Sequence, residues 1–413
     1  MKKVLVIIFI AIVVVALGLV GYYYFFDYTV SPTTGEKESF REFLPFGSNT
    51  AGSSATTTAD NGEEANGGTS TPSGIPAGPL PQLQQITMSP VAGETMVDAV
   101  NASTTVVRYV DRATGNLYDF NVQTGVISRD TNTTMPKIRE AVWDPSGAAL
   151  IMRFLEGDTD FIQSYYAQFD PNSAEADGNR SLTGSYLPAS IDSITPLGGG
   201  KIFSLMTSTS GSSGYVSSMN GAGRTLVFQS PVREWIPQGI DQNTVALTTK
   251  ASSYTNGFLY LFNIKTAKQS KIIGNVQGLT TLMSHDGKYV LFGENDNGYK
   301  LRMLNVATKA VTALPVNSIP EKCAWSDDDA VVFCAASKSP LNADFLDLWY
   351  QGMVSTSDDL WEINPIDGTS IVIADMSGKN IDGVDLVPSS DRTSVAFMNR
   401  NDLSLWIYRL NSQ

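Results

Sequence analysis

The sequence predicts an all-β fold, a seven-bladed β-propeller of four-stranded blades, preceded by one transmembrane helix and a disordered linker. Three observations predict the propeller: a short apolar run recurs seven times, successive runs are 41 to 64 residues apart, and no run has helical periodicity. A repeat of that length is typical of a propeller blade. The seven runs, each read as the second strand of a blade, centre on Val106, Leu150, Ile202, Val245, Val290, Val331 and Val395.

Residues 1–29 form the first predicted element, a transmembrane signal anchor. Lys2 and Lys3 precede an apolar stretch over residues 4–26, which would span about 35 Å as a helix and so cross a bilayer. The alternative is a cleaved signal peptide, but bulky aromatic residues at 22–26 stand where small cleavage-site residues are needed, and they suit the membrane interface. The positive flank predicts a single-pass protein of the bacterial cytoplasmic membrane, with the N-terminus inside and the C-terminal domain outside.

Residues 30–80 form a predicted flexible linker of low complexity. Its second half consists largely of Gly, Ser, Thr, Ala, Asn and Pro, which bury too little apolar surface to offset the entropy of ordering. An aromatic-rich island at 39–47 interrupts this composition. We interpret the island as packing on lipid headgroups, and the alternative is a docking peptide for a neighbouring protein.

Residues 81–413 form the predicted propeller domain. The chain of 413 residues is 42% hydrophobic, enough for a large core, and its 35 glycines and 19 prolines suit many turns between short strands. Its net charge is −13, and most of that charge falls in the predicted propeller. An acidic domain repels phosphate backbones, so we expect no nucleic-acid partner.

The last repeat is incomplete, because its third strand ends at Leu410 and the chain stops at Gln413. An unpaired sheet edge at that place would favour aggregation. An apolar segment, Leu83–Met88, precedes the first blade and has no other predicted role. We infer that it supplies the missing outer strand and closes the ring by joining the two ends of the domain.

Several repeats carry a family resemblance. The segment SHDGKYVLF at Ser284 resembles the SPDGK-hydrophobic repeat of TolB-type, WD-repeat-like bacterial propellers, which also occurs in the propeller of prolyl oligopeptidase-like proteins. WDPSGAALI and WSDDDAVVF are degenerate copies, and LWEINPIDGTS at Leu360 resembles the third strand and turn of the same family. His285 stands where the family has Pro, and the third and fourth blades lack the motif. The resemblance implies the fold and a protein-binding role outside the cytoplasm, without any binding residues.

Residues suited to catalysis are scarce. The one histidine, His285, lies at a predicted turn, and no nucleophile elbow, phosphate-binding loop or zinc-binding helix motif occurs. Three consecutive aspartates, Asp327–Asp329, carry the oxygen ligands that Ca²⁺ prefers, but at a hairpin turn they indicate a solvated tip. We therefore predict no catalytic residue, no metal site and no cofactor, and a glycosidase with a pair of carboxylates stays as an alternative.

Cys323 and Cys334 are the only cysteines of the chain. Pairing about a turn centred between Asp328 and Asp329 places them directly across two antiparallel strands. Cross-strand neighbours lie within disulfide reach, and a site outside the cytoplasm permits oxidation. The alternative is two free cysteines that pack in the core as small hydrophobes.

An insertion in the sixth blade is the strongest candidate for a binding site. The second-strand anchor and the third-strand marker are 11 to 15 residues apart in the other blades, whereas Val331 and Trp361 are 30 apart. The added segment is rich in aromatic side chains, which are typical of binding hot spots on loops. The alternative is a lid that packs these side chains onto the propeller. The residues that we predict to contact a partner are Phe345, Leu348, Trp349 and Tyr350.

Together these features predict a membrane-tethered, extracytoplasmic propeller that is not an enzyme and that binds a protein or a polymer of the cell envelope. The alternative function is a propeller hydrolase or lyase that acts on a glycan. Clustered carboxylates with raised pKa values in the central channel would favour the enzyme, and an exposed aromatic patch would favour the binding scaffold.

Overall fold

The computed structural model describes residues 79–98, 104–131, 134–157, 161–174 and 180–410. These residues form seven four-stranded antiparallel sheets, so the predicted seven-bladed propeller is confirmed. The innermost strands of neighbouring blades contact one another, and the first strand of blade seven returns to contact that of blade one. Between blades five and six, the first strand of blade five contacts the 3-10 turn Pro320–Lys322, which leads into the first strand of blade six. The inner strands therefore surround a central channel.

Each blade contributes four strands in chain order from the channel outward, except blade seven. Blades one to three comprise β2 (Val91–Asp98), β3 (Thr105–Asp111), β4 (Leu117–Asn121), β5 (Ile127–Arg129), β6 (Ile138–Trp143), β7 (Ala149–Leu155), β8 (Ile162–Ala174), β9 (Arg180–Tyr186), β10 (Ser193–Gly198), β11 (Lys201–Ser208), β12 (Gly211–Ser218) and β13 (Thr225–Ser230). Blades four and five comprise β14 (Trp235–Asp241), β15 (Thr244–Thr249), β16 (Asn256–Asn263), β17 (Lys268–Gln277), β18 (Thr280–Met283), β19 (Tyr289–Asn295), β20 (Tyr299–Asn305) and β21 (Val311–Ala313). Blades six and seven comprise β22 (Cys323–Trp325), β23 (Val332–Ser337), β24 (Asp358–Ile363), β25 (Ser370–Ala374), β26 (Gly383–Pro388), β27 (Ser394–Asn399), β28 (Ser404–Arg409) and β1 (Leu83–Gln85).

The second strand of each blade carries the most continuous apolar sequence, because neighbouring blades cover both of its faces. In β7, the consecutive residues Leu150, Ile151 and Met152 are all buried. Leu150 and Met152 pack in a cluster with blade-one residues, and Ile151 packs in a separate cluster with blade-three residues. The seven apolar runs in the sequence are therefore strands buried between blades.

The turns between first and second strands share a hydrogen-bond pattern in three blades. In blade five, Ser284 Oγ donates to Asp286 Oδ1 at 2.8 Å and accepts from the Tyr289 N–H at 3.0 Å. Gly287 adopts a φ of 71°, which a residue with a side chain rarely adopts. Blades six and seven repeat the Ser–Asp contact at Ser326–Asp328 and Ser389–Asp391. These turns give the propeller its "turn face", and the opposite face, where the inner strands begin, is the "lid face".

The outer strand of blade seven comes from the opposite end of the domain, as the sequence predicted. Strand β1 pairs antiparallel with β28, with Leu83 opposite Tyr408. The Arg409 N–H donates to the Gln82 carbonyl at 2.8 Å, and its Nε donates to the Val122 carbonyl of blade one at 3.0 Å. Arg409 thereby joins the last blade to the first blade and to the chain that precedes β1.

The predicted transmembrane segment, residues 4–26, and residues 30–78 of the predicted linker lie outside the described residues. Among the residues that the structure does describe, no helix is long and apolar enough to cross a membrane.

Candidate functional site

The candidate site is a cavity of about 560 Å³ in the central channel. The innermost strands of blades four to seven form its wall, and it extends from the lid face, where these strands begin, to the turn face, where they end. Apolar side chains form most of that wall: Ile236, Leu282, Trp325, Leu386 and Pro388. Polar side chains contribute less of the surface, and they include Gln238, Thr248, Thr280 and Thr281. A largely apolar cavity with a few polar groups is the usual form of a ligand site.

Glu321 and Tyr350 line the cavity at its lid-face end. The Tyr350 hydroxyl donates a hydrogen bond to Glu321 Oε1. Glu321 Oε2 is buried and has no hydrogen-bond partner among the described residues. Burial raises the pKa of the Glu321 carboxyl. Burial and the nearby Glu321 charge likewise raise the pKa of the Tyr350 hydroxyl. The end of the cavity therefore carries a carboxyl group suited to hold a proton or to meet a cation.

The blade-six insertion folds as a lid over this end. The lid comprises residues 338–357 and contains a short helix, α1 (Phe345–Tyr350). Phe345 and Trp349 are each 6% exposed and pack in one cluster with Tyr299 of blade five and Val384 of blade seven. These two aromatic side chains pack onto the propeller, as the alternative interpretation of the insertion as a lid expected.

The other two predicted contact residues are more accessible. Leu348 is partly buried, and Tyr350 is 38% exposed while its hydroxyl reaches the cavity. The predicted binding role of all four residues stays a prediction, and these two have surface available to a partner.

Polar contacts fix the lid to blades four and seven. Asp347 accepts hydrogen bonds from the Ser252 hydroxyl and the Ser253 N–H, both at 3.1 Å, in a loop of blade four. The indole Nε1 of Trp349 donates to Asp382 Oδ2 at 3.0 Å, at the start of blade seven. Because the insertion itself belongs to blade six, the lid spans the channel sector that contains the cavity.

A buried charge cluster supports the lid from below. Lys322 is 1% exposed, and its Nζ lies 2.7 Å from Asp358 Oδ2 and 2.6 Å from Asp382 Oδ1. Burial alone would raise the pKa of Asp382, but the Lys322 ammonium and hydrogen bonds from Thr356 and Trp349 hold that pKa below its usual value. Burial raises the pKa of Asp358 despite the same ammonium. One buried cation thus serves two carboxyl groups, of which Asp382 is the better stabilised anion.

Two further acidic residues lie on neighbouring inner strands. Asp385 of β26 lines the cavity, and a β-bulge with a φ of 51° at Asp385 interrupts the pairing of β26 with β27. The residue is open to water in the channel, yet surrounding protein desolvates its carboxyl and, with the charge of Glu140, raises its pKa to about 6. Glu94 of β2 is 8% exposed, and burial followed by the charge of Asp385 raises its pKa well above the ordinary value.

The structure joins Cys323 and Cys334 in a disulfide, across β22 and β23 and with a Cα–Cα distance of 4.1 Å. A separation this short corresponds to a non-hydrogen-bonded pair of antiparallel strands. Cys323 also lines the cavity. The disulfide therefore fixes part of the cavity wall in blade six.

His285 lies on a turn at the turn-face end of the cavity. Its Nδ1 lies 2.8 Å from Asp329 Oδ1, and Asp329 also accepts from the N–H groups of His285 and Asp286. Asp328 accepts from Ser326, so these two aspartates fix turns and join blades five and six. Within the described ranges, no group of three or more His, Cys, Asp or Glu side chains is arranged to hold a metal ion.

Sequence reasoning did not identify Glu94, Glu321 or Asp385. Two of them carried a local signal, because Glu94 and Asp385 interrupt otherwise apolar inner strands in VAGETMV and GVDLVP. Glu321 carried none, since it precedes its strand in an ordinary loop sequence.

No protein-family model matches this chain, and no curated protein matches its sequence significantly. Solved structures share its fold. Oligogalacturonate lyase from Vibrio parahaemolyticus is 9% identical, with a TM-score of 0.50, over 79% of this chain and 93% of the lyase. TolB from Acinetobacter baumannii is 12% identical, with a TM-score of 0.41, over 61% of this chain and 57% of TolB.

The β-propeller domain of the Trilobed protease from Pyrococcus furiosus is a further structural relative. It is 11% identical, with a TM-score of 0.49, over 76% of this chain and 95% of that domain. At identities this low the likeness shows the propeller fold alone.

Proposed function

We propose that this chain is a non-enzymatic binding scaffold, a propeller tethered outside the bacterial cytoplasmic membrane through residues 4–26 that binds a protein or a polymer of the cell envelope. The observation that carries the proposal is the lid-covered cavity, with its largely apolar wall and with Tyr350 at its end. The one imidazole of the chain, that of His285, contacts Asp329 of the neighbouring turn, and we assign it a structural role in fixing that turn.

The aromatic residues of the lid have two roles: some hold the lid on the propeller, and Tyr350 is available to contact a ligand. Phe345 and Trp349 hold α1 on the propeller, as their burial indicates. Tyr350 presents accessible surface beside the cavity, where a ligand would meet it, and Leu348 is partly exposed on the same helix. A rigid aromatic side chain at the edge of a pocket is a favourable contact for a partner.

A second candidate function is a hydrolase or lyase that acts on a glycan. Glu321 and Asp385 favour it, because both line one cavity and both carboxyls have raised pKa values, which is the arrangement expected of the enzyme. A carboxyl that holds its proton near neutral pH is suited to general-acid catalysis, and glycosidases use two carboxyl groups.

Affinity capture from a bacterial envelope extract, with the full chain as bait, tests the binding function. We expect a specific protein or polymer on the wild-type chain and at least a tenfold loss with Tyr350→Ala, as for a hot spot of roughly 1.4 kcal/mol or more. Tyr186→Ala is the control, since Tyr186 is 65% exposed on the outer strand of blade two. Equal capture by both variants would contradict a contact role for Tyr350.

Incubation of the full chain with envelope glycans and acidic oligosaccharides separates the two functions. Release of reducing ends or of unsaturated products by the wild-type chain, lost in Asp385→Asn, would replace the scaffold by the enzyme. We expect no release.

Membrane attachment has a separate test. We expect the full chain in the membrane fraction with an intact N-terminus by mass spectrometry. A mature chain that begins after residue 21 would show a cleaved signal peptide instead.

A further inference from the structure

Two acidic side chains of the channel form no ion pair within the described residues. Both carboxylate oxygens of Glu94 are buried without a hydrogen-bond partner in that part of the chain. Asp385 lies near enough for its charge to act on Glu94, and it faces the water of the channel. An ionised carboxylate buried without a cation is strongly unfavourable, so Glu94 is either protonated or neutralised by a cation from outside the chain.

The charges around this pair are also negative. Glu140 of β6 acts on Asp385, and Glu321 and Asp327 line the same cavity. Arg153 pairs with Glu140 at 2.7 Å, and neither residue lines the cavity. No Lys or Arg is among the described residues that line the cavity, and His285 stands at its far end, paired with Asp329. The field in the cavity therefore attracts cations.

The wall restricts which cation fits. Leu282, Leu386 and Pro388 present apolar surface along the route to Asp385. A hydrated metal ion would lose its water shell against these side chains. An alkylammonium has an apolar stem and a charged tip, and both parts match the cavity.

We propose that the cavity binds the lysine side chain of a protein partner, with its ammonium on Asp385 and the buried Glu94 as a second negative charge behind it. The inference rests on the proposed scaffold function and names the chemistry by which the scaffold recognises its partner. The stem of the lysine packs on the apolar wall, and Tyr350 and Glu321 stand at the lid-face end of the cavity. A bound ammonium would also offset the negative charge that the buried Glu94 carries when it is ionised.

Calorimetric titration of the purified full chain with Nα-acetyl-lysine methylamide tests the proposal. We expect binding, and at least tenfold weaker affinity for the neutral analogue acetylated also at Nε. Affinity should rise about tenfold between pH 5 and pH 7, because the pKa of Asp385 is about 6 and only its anion attracts the ammonium.

Three variants assign the site. Asp385→Asn and Glu94→Gln should each weaken binding of the lysine probe at least tenfold, while Glu234→Gln, which alters an exposed carboxylate outside the cavity, should leave affinity unchanged. Thermal melts check that each variant is folded.

Other outcomes overturn the proposal. Equal affinity for the charged and neutral probes, or full affinity in Asp385→Asn, would refute the lysine site. Tighter binding of glucosamine would reassign the cavity to an amino sugar, and tighter binding of Ca²⁺ would reassign it to a metal. If Asp385→Asn still captures the partner, the scaffold function stands and the lysine site is refuted. If the chain binds the lysine probe but captures no partner, the lysine site stands and the scaffold function is refuted.

Discussion

The indole Nε1 of Trp349 lies 3.0 Å from Oδ2 of Asp382 and donates a hydrogen bond to it. Asp382 in turn accepts from Lys322 at 2.6 Å, so one carboxylate joins the lid to the buried charge cluster. The guanidinium of Arg400 lies 4.4 Å from the centre of the Trp349 ring and adds a cation–π contact. The lid is therefore a fixed part of the domain.

Trp349→Ala should lower the free energy of unfolding by roughly 3–5 kcal/mol, because the side chain is buried and its loss leaves a cavity. Trp349→Phe keeps most of the packing and removes the donor to Asp382, so we expect a loss of roughly 1–3 kcal/mol. Leu348→Ala on the same helix is the control and should change stability little. Denaturant melts measure all three, and an unchanged midpoint for Trp349→Ala would show that the lid is not packed as described.

Lys322→Met should destabilise the domain by roughly 3–5 kcal/mol, because it leaves Asp358 buried without a cation and leaves Asp382 with Arg400 alone, at 3.8 Å. Lys338→Met in the same blade is the matched control. Lys338 is 41% exposed and bridges Asp359 and Asp375, a surface arrangement that contributes at most about 1 kcal/mol. Similar midpoints for the two variants in urea would contradict the buried cluster.

Reduction of the Cys323–Cys334 disulfide should lower stability by roughly 3 kcal/mol, the value expected from loop closure for a short loop. A reducing agent should lower the melting temperature of the wild-type chain and leave that of the Cys323→Ala, Cys334→Ala double variant unchanged. Alkylation of the denatured, unreduced chain should label no thiol. Two labels per chain would show free cysteines.

Deletion of Leu83–Met88 should lower the melting temperature, because blade seven loses its outer strand and β28 becomes a sheet edge. A synthetic peptide of residues 81–89 should restore part of the loss by pairing with β28. A deletion that leaves the melting temperature unchanged would contradict closure of the ring by β1.

The contribution of Asp385 to the free energy of unfolding should fall as the pH rises from 4 to about 6 and then level off. Its pKa is raised to about 6, above the unfolded value of roughly 3.9, so the folded state binds more protons in this window. The raised pKa of Glu94 acts in the same direction. Asp385→Asn should therefore flatten the profile and be more stable than the wild type at pH 7.5. Melts at fixed ionic strength that show the same slope for both proteins would refute this assignment.

The ring closure was predictable because both of its parts are local in the sequence, a third strand without a successor at Leu410 and an unused apolar segment at Leu83. The pairing of Cys323 with Cys334 was predictable for the same reason, because it depends only on where one hairpin turns. The carboxyl groups of the channel did not follow, because a β-bulge at Asp385 and the approach of neighbouring blades decide which side chains face the lumen.

The lid shows the same limit. An aromatic loop has the same composition whether it binds a partner or packs on its own domain. Trp349 is held by a hydrogen bond to Asp382, which belongs to another blade. Lys322 neutralises Asp382 although the two residues are 60 positions apart in the chain. Such contacts have no signature in the loop itself.

The direction of β1 determines how the domain would carry a mechanical load. Leu83 pairs with Tyr408, at the end of β28 that reaches the turn face, so the chain enters the propeller on the face opposite the lid. A partner pulling at the lid face against an anchored N-terminus would load β1 along its length. The hydrogen bonds to β28 and those of Arg409 would then share the force in shear instead of opening one after another.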